Sequence, residues 1–253
     1  MQCSQSRILQ PMEGNVFSFA CHKNVSCFTE CCRDLNLLLT PYDIIRLKNH
    51  LAMDSGTFLK TYTRTEVGEE GVLPLVFLAM GDDERKTCPF VTPEGCSVYE
   101  HRPGACRTYP LGRASARVKG QKKASEKYFV VKEQHCKGFE EDRTWTVQEW
   151  LDHEGLNEYN ARNDDWTDII TTSHSFLKKH IDEKKLAMFF MASYNLDMFR
   201  RFVFESSFLD RFAVTEEEKA RMREDDIALL DFALKWIRFF LLGEPSLKMN
   251  GGK

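Results

Sequence analysis

Long apolar runs are absent from this chain. The longest, Leu186 to Ala192 and Phe239 to Leu242, fall well short of the ~20 residues an α-helix needs to cross a bilayer, so no membrane partner is expected. Excess charge of one sign is absent too: 35 Lys and Arg face 38 Asp and Glu, a formal net charge of −3. Such a balance gives no global attraction to nucleic acid or to an anionic membrane surface. Met1 to Gln10 lacks the basic segment and following apolar segment of an export signal, which predicts a cytoplasmic protein. Also missing are Gly-x-Gly-x-x-Gly, the Gly-Lys-Ser/Thr phosphate loop and Gly-x-Ser-x-Gly, which leaves nucleotide binding and hydrolase chemistry without a warrant.

What the chain does have is cysteine, unevenly spread. Cys3, Cys21, Cys27, Cys31, Cys32, Cys88, Cys96, Cys106 and Cys136 all precede residue 137, and none follows. A chain of 253 residues buries a core without disulfide staples, and cytosolic reductants keep thiols free. Metal binding or catalysis is therefore the expected use of the sulfurs. The shift in composition predicts a cysteine-rich metal-binding part over 1–140 and a helical, Phe-rich and Met-rich part over 141–253.

The expected fold class is α+β, with short antiparallel strands and helices first and a mainly helical C-terminal part. Thr40-Pro41 predicts a helix start, with Ile44, Ile45, Leu47 and Leu51 on the following turns. A second short helix is expected from Ser55 or Gly56 to Tyr62. Val72 to Met80, with Pro74 inside it, reads as an edge strand, and Arg113 to Lys119 with Lys127 to Val131 as two strands about Lys119-Gly120-Gln121. Farther on, Thr146 to Glu149 and Thr215 to Glu218 fit the capping box, with Trp145 and Trp150 placed as a hydrophobic staple. Helices are expected over Trp166 to His180, over Lys185 to Phe204, and from Thr215 to the stop at Gly243 and Pro245.

The spacing of the sulfurs carries the chemistry. Cys21, Cys27, Cys31 and Cys32 form one cluster, and Cys88, Cys96, Cys106 and Cys136 a second, looser one. Four thiolates and four thiolates suit two tetrahedral sites, or one polynuclear cluster with additional ligands. Adjacent Cys31 and Cys32 are expected to diverge, and so to serve two centres or two atoms of one cluster. No Cys-x2-Cys knuckle of the common structural zinc site occurs. The all-sulfur set and the Cys88-Pro89 step favour iron or an iron-sulfur cluster as the cofactor, with zinc as the alternative.

These motifs carry a family resemblance. Phe19-Ala20-Cys21, Cys27-Phe28-Thr29-Glu30-Cys31-Cys32-Arg33, Cys88-Pro89-Phe90, Gly95-Cys96 through Tyr99-Glu100-His101-Arg102-Pro103, and Cys106-Arg107-Thr108-Tyr109-Pro110 resemble the YkgJ-type cysteine-cluster family over about Phe19 to Phe139. The resemblance implies a zinc- or iron-chelating domain, often labelled an iron-sulfur-cluster protein. The family's first cluster usually reads Cys-x2-Cys-x2-Cys-Cys, whereas five and three residues intervene here. Some relatives are associated with flagellin lysine N-methylation, so the alternative function is an S-adenosylmethionine-dependent lysine N-methylase-like enzyme. Binding ranks above catalysis, because no base, nucleophile or cofactor motif accompanies the cysteines.

Neighbouring residues fall into lesser roles. Arg102 and Arg107 either donate toward the thiolates or pair with Glu94 or Glu100. His22, His101 and His135 lie near cysteines but are not needed once eight sulfurs fill two tetrahedra. Cys3 has no partner motif and is expected to be a free thiol. The stripe Met188, Phe189, Met191, Tyr194, Met198, Phe199 and Phe202 reads as helix core, and Lys119, Lys122, Lys123 and Lys127 as a solvated hairpin.

Overall fold

A computed structural model describes residues 7–12, 14–67, 73–116, 125–176 and 182–251. In chain order it runs β1 (Arg7–Pro11), β2 (Val16–Ser18), β3 (Leu38–Leu39), α1 (Pro41–His50), α2 (Ser55–Tyr62), β4 (Thr63–Glu66) and β5 (Leu75–Leu78). There follow β6 (Val91–Thr92), β7 (Gly95–Cys96), α3 (Gly104–Thr108), β8 (Leu111–Ala116), β9 (Ser125–Glu133) and β10 (Thr144–Thr146). Six helices complete it: α4 (Val147–His153), α5 (Leu156–Phe176), α6 (Glu183–Tyr194), α7 (Leu196–Phe204), α8 (Glu216–Glu224) and α9 (Asp226–Leu242). This is the expected mixed class, with short antiparallel strands and a helical C-terminal part.

The predicted helix starts form by the expected chemistry. Thr40 accepts from the Asp43 N–H while Asp43 takes the Thr40 N–H, and Pro41 fills the first position of α1. Thr146 with Glu149 and Thr215 with Glu218 repeat the reciprocal pair at α4 and α8, and the Trp145 and Trp150 rings meet at 5.2 Å. Each such cap satisfies two N–H groups that a helix start leaves without partners.

Three local expectations need correction. β5 is the central strand of the antiparallel order β3-β5-β4, not an edge: Pro74 lies just before the ladder, so its missing N–H costs no bond. The helix expected over 185–204 is two, because Asn195 accepts from Met198 N–H and caps a new start at α7. The helix expected from 215 likewise breaks at Asp225, which accepts from Ile227 N–H and opens α9. Asn and Asp are strong N-caps, and here the local bond wins over continued periodicity. Met198 in the expected core stripe is exposed, whereas Phe189, Tyr194 and Phe199 are fully buried. Val72, the turn Lys119-Gly120-Gln121, and Cys3 lie outside the described residues.

Two compact units result, and they do not follow the composition boundary near residue 140. One comprises 1–37 with 79–164, the other 38–78 with 165–253. In the first, β1-β9-β8 form one antiparallel sheet and β10 pairs with β2. Its core is Phe17, Phe19, Leu111, Trp145, Trp150 and Leu156, against which Tyr109 and Cys136 pack. Trp145 Nε1 donates to Phe19 O at 2.9 Å, so a tryptophan of the core also fixes the segment that leads to Cys21.

In the second unit, Tyr42, Phe58, Phe189, Tyr194 and Phe199 are buried, and α9 ends at Gly243, whose φ of 68° is left-handed. Lys48, 5% exposed, reaches Asp226 at 2.9 Å and Asp197 at 3.5 Å, and Arg200 bonds the same two carboxylates. Burial opposes ionisation of Asp226, yet Arg200 and Lys48 outweigh it and hold the carboxyl below its ordinary value. Asp197 is held down in the same way against its burial, by Ser55 and Lys48. A depressed folded-state value stabilises above the unfolded value of about 3.9 and is lost as pH falls through the folded value. The urea midpoint of the whole chain should therefore drop on acidification below about pH 4, and less steeply in Asp226→Asn than in the unaltered chain. An equal slope in the two would remove Asp226 from this account.

Candidate metal centre

Three stretches of the first unit meet at the cysteines, and backbone bonds bring them together. Ala20 N–H donates to Gly138 O at 3.0 Å, which sets Cys21 beside the Cys136 segment. Lys137 N–H donates to Cys27 Sγ at 3.1 Å, tying Cys27 to the same segment. On another side, Cys88 N–H donates to Cys32 O at 2.9 Å, and Arg33 bridges to Thr87. The β6–β7 hairpin then returns Cys96 opposite Val91, three residues after Cys88. Cys106 enters on α3, three residues before Tyr109.

Close approach explains two glycines here. A Cβ on Gly138 would stand 2.5 Å from the Phe19 ring and 2.6 Å from Ala20 O, so the bond to Ala20 exists because residue 138 has no side chain. Gly95 has φ of 124°, and its missing Cβ faces the Phe28 ring at 3.2 Å; both the conformation and the contact favour glycine at the hairpin's tip.

The adjacent pair does not diverge as expected. Cys31 and Cys32 lie on a single 3₁₀ turn, Glu30–Cys32, and their sulfurs stand 3.9 Å apart. Two thiolates on one tetrahedral ion, with metal–sulfur bonds of about 2.3 Å, stand about 3.8 Å apart. The observed separation is close to that value, because side-chain rotation on so short a turn offsets the angular separation of neighbouring residues.

Electrostatics follow from the crowding. Burial first, then the charges of Cys31, Cys27 and Cys136, push the Cys21 thiol up to about 12, while Arg102 pulls the other way. The hydrogen bond with Cys32 raises Cys31 most, followed by burial. Burial raises Cys88 and Cys96, opposed at Cys88 by the Phe90 and Val91 N–H groups and at Cys96 by the Val98 N–H and Arg102. Burial also raises Cys136, opposed by the neighbouring Tyr109 hydroxyl and the Gly138 N–H. Thiols packed this way resist ionising next to one another, and a bound cation reverses that balance. The backbone N–H groups aimed at sulfur are the arrangement that orients and stabilises bound thiolates.

The arginines do two things at once. Arg102 pairs with buried Glu154, donates to Tyr99 O at 2.7 Å and stacks on the Tyr99 ring at 3.7 Å, yet its charge also favours ionised Cys21 and Cys96. Arg107 donates to the Glu154 and Glu100 carbonyls and so braces the loop ahead of Cys106. Neither Glu154 nor the Lys137 N–H drew notice in the sequence; a glycine two residues after Cys136 is the one local sign that the chain turns back to sulfur. The Tyr109 hydroxyl is buried without a hydrogen-bond partner among the described residues and stands beside Cys136, where a thiolate would supply one. His22 pairs with Glu141 at 3.1 Å, and His135 faces Glu133 at 3.5 Å.

The donor set fits a soft metal: Cys21, Cys27, Cys31, Cys32, Cys88, Cys96, Cys106 and Cys136 are all free thiols. Among the described residues no three Cys, His, Asp or Glu side chains are already closed around an ion site, so ligation requires thiol rotation about Cα–Cβ bonds. Residues 20–137 match the sequence model of the CxxCxxCC family, described as a putative zinc- or iron-chelating domain. No curated protein and no solved structure matches the chain. No described helix is long and apolar enough to cross a membrane.

The geometry gives a direct expectation for Gly138→Ala. Forcing a methyl against Phe19 and Ala20 should destabilise the first unit by about 1–3 kcal/mol and reduce metal retention, as read by thermal unfolding and elemental analysis. Unchanged stability with full metal content would show that the Ala20–Gly138 approach does not hold the centre.

Proposed function

We propose, for a chain whose residues 20–137 match the CxxCxxCC model of a zinc- or iron-chelating domain, that its role is to bind metal through cysteine thiolates. The ligands are Cys21, Cys27, Cys31, Cys32, Cys88, Cys96, Cys106 and Cys136. The occupant is iron, as ions or an iron-sulfur cluster, with zinc as the alternative, and the centre serves redox or metal sensing. The observation that carries this reading is the convergence of sulfurs from three chain segments, with backbone N–H groups directed at Cys27, Cys88, Cys96 and Cys136. A protein that only needed apolar packing there would gain nothing from these donors.

When bound, the metal supplies a positive charge that holds the thiols ionised and, if it is iron, a reversible electron. The chain's own residues do the rest. The N–H groups of Lys137 and Gly138 orient the sulfurs of Cys27 and Cys136, Arg102 offsets the negative charge near Cys21 and Cys96, and Tyr109 offers an O–H toward Cys136. A reducing cytoplasm, where thiols stay free, suits such a centre.

Anaerobic purification followed by absorption spectroscopy and elemental analysis tests the reading. Iron with broad sulfur-to-iron bands is expected; a colourless chain carrying zinc supports the alternative occupant. Cys3→Ser should retain the full load, and Cys96→Ser should lose metal. A chain that retains neither metal after reconstitution with each would overturn the proposal.

A further inference from the structure

The order of the cysteines along the chain pairs Cys27 with Cys31 and Cys32, and Cys88 with Cys136. The fold pairs them differently. Cys32 is bound through its backbone to Cys88, Arg33 is bridged to Thr87, and the hairpin carries Cys96 back beside the same segment. The sulfurs of Cys31 and Cys32 are spaced at 3.9 Å, close to the separation of two ligands on one tetrahedral ion. Cys27, four residues before Cys31, is instead bonded through its sulfur to the N–H next to Cys136. Cys21 is held to that side by the Ala20–Gly138 bond.

We infer that the thiols form two neighbouring centres that interleave the two sequence clusters: Cys31, Cys32, Cys88 and Cys96 hold one, and Cys21, Cys27 and Cys136 belong to the other. This rests on the metal-binding reading above and divides seven of its eight ligands between the centres, leaving Cys106 on α3 outside the division. The 3₁₀ turn at Glu30–Cys32 is then the junction: it follows Cys27 on one side and leads through Arg33 to the Thr87–Cys88 strand on the other. Interleaving also has a mechanical consequence. Neither centre can be completed by one sequence cluster alone, so loading either one ties the N-terminal segment to a distant part of the chain and closes a long loop.

Non-additivity of paired substitutions in the full-length chain, loaded anaerobically with cobalt(II), is the test. Cys32→Ser and Cys88→Ser should each remove about half of the bound cobalt, and the double variant should remove no more than either single, as expected for ligands of one site. Cys27→Ser should remove the other half, and Cys27→Ser with Cys32→Ser nearly all of it. If the Cys27 and Cys32 pair instead behaves as one site, the centres follow sequence order and the interleaving is wrong. If any single substitution removes all the cobalt, a single cluster replaces the two centres.

A measurement on the unaltered chain guards against variants that fail to fold. Titration with cobalt(II) should raise the thiolate-to-cobalt absorption to a break at two equivalents, and a break at one would overturn the two-centre assignment. A chain that takes up no cobalt, iron or zinc at all would defeat the underlying metal-binding reading, an outcome distinct from either of these.

Discussion

Crowding of partly buried thiols, which resist ionising beside one another, is the constraint on which the first unit depends. Packed thiols can remain neutral at a cost in lost solvation, or ionise only if a cation joins them. The structure prepares for the second course. Cys21 is raised first by desolvation and then by its neighbouring thiols, while backbone N–H groups and Arg102 act in the opposite direction at Cys88, Cys96 and Cys136 or Cys21. Such opposition is wasteful around inert thiols and useful around thiolates waiting for a metal.

The scaffold makes the gathering possible. Phe17, Phe19, Trp145 and Trp150 form a small aromatic core of edge-to-face contacts, and Phe19 is continuous in sequence with Cys21. Gly138, stripped of a side chain, lets Ala20 approach within hydrogen-bond distance. On the other flank the buried Arg102–Glu154 pair and the Arg107 contacts to carbonyls hold the loop between Cys96 and Cys106. A pair of that kind contributes order more dependably than net stability. The metal centre is thus built on elements that are themselves fixed by apolar packing and buried charge.

Much of this could be read in the sequence, for reasons that particular residues make plain. Thr40, Thr146 and Thr215 announced their helices because a cap is a local bond between residues three apart. The cysteines pointed to metal chelation by type and number, which the match of residues 20–137 to a zinc- or iron-chelating domain also supports. Less legible were the breaks at Asn195 and Asp225, where apolar periodicity continues straight through a capping residue. The central place of β5 was hidden because strand order is set by β3 and β4, neither of which carries a strong signal of its own. The closeness of the Cys31 and Cys32 sulfurs depends on a single 3₁₀ turn, and the ties of Cys27 to Lys137 and of Cys32 to Cys88 span distances in sequence that no local pattern reports.

X-ray absorption at the metal edge of the anaerobically loaded chain tests the central claim most directly, because it reads the atoms bound to the metal without altering the protein. The account predicts a first shell dominated by sulfur at about 2.3 Å. A first shell made only of nitrogen and oxygen would contradict it, whatever the metal.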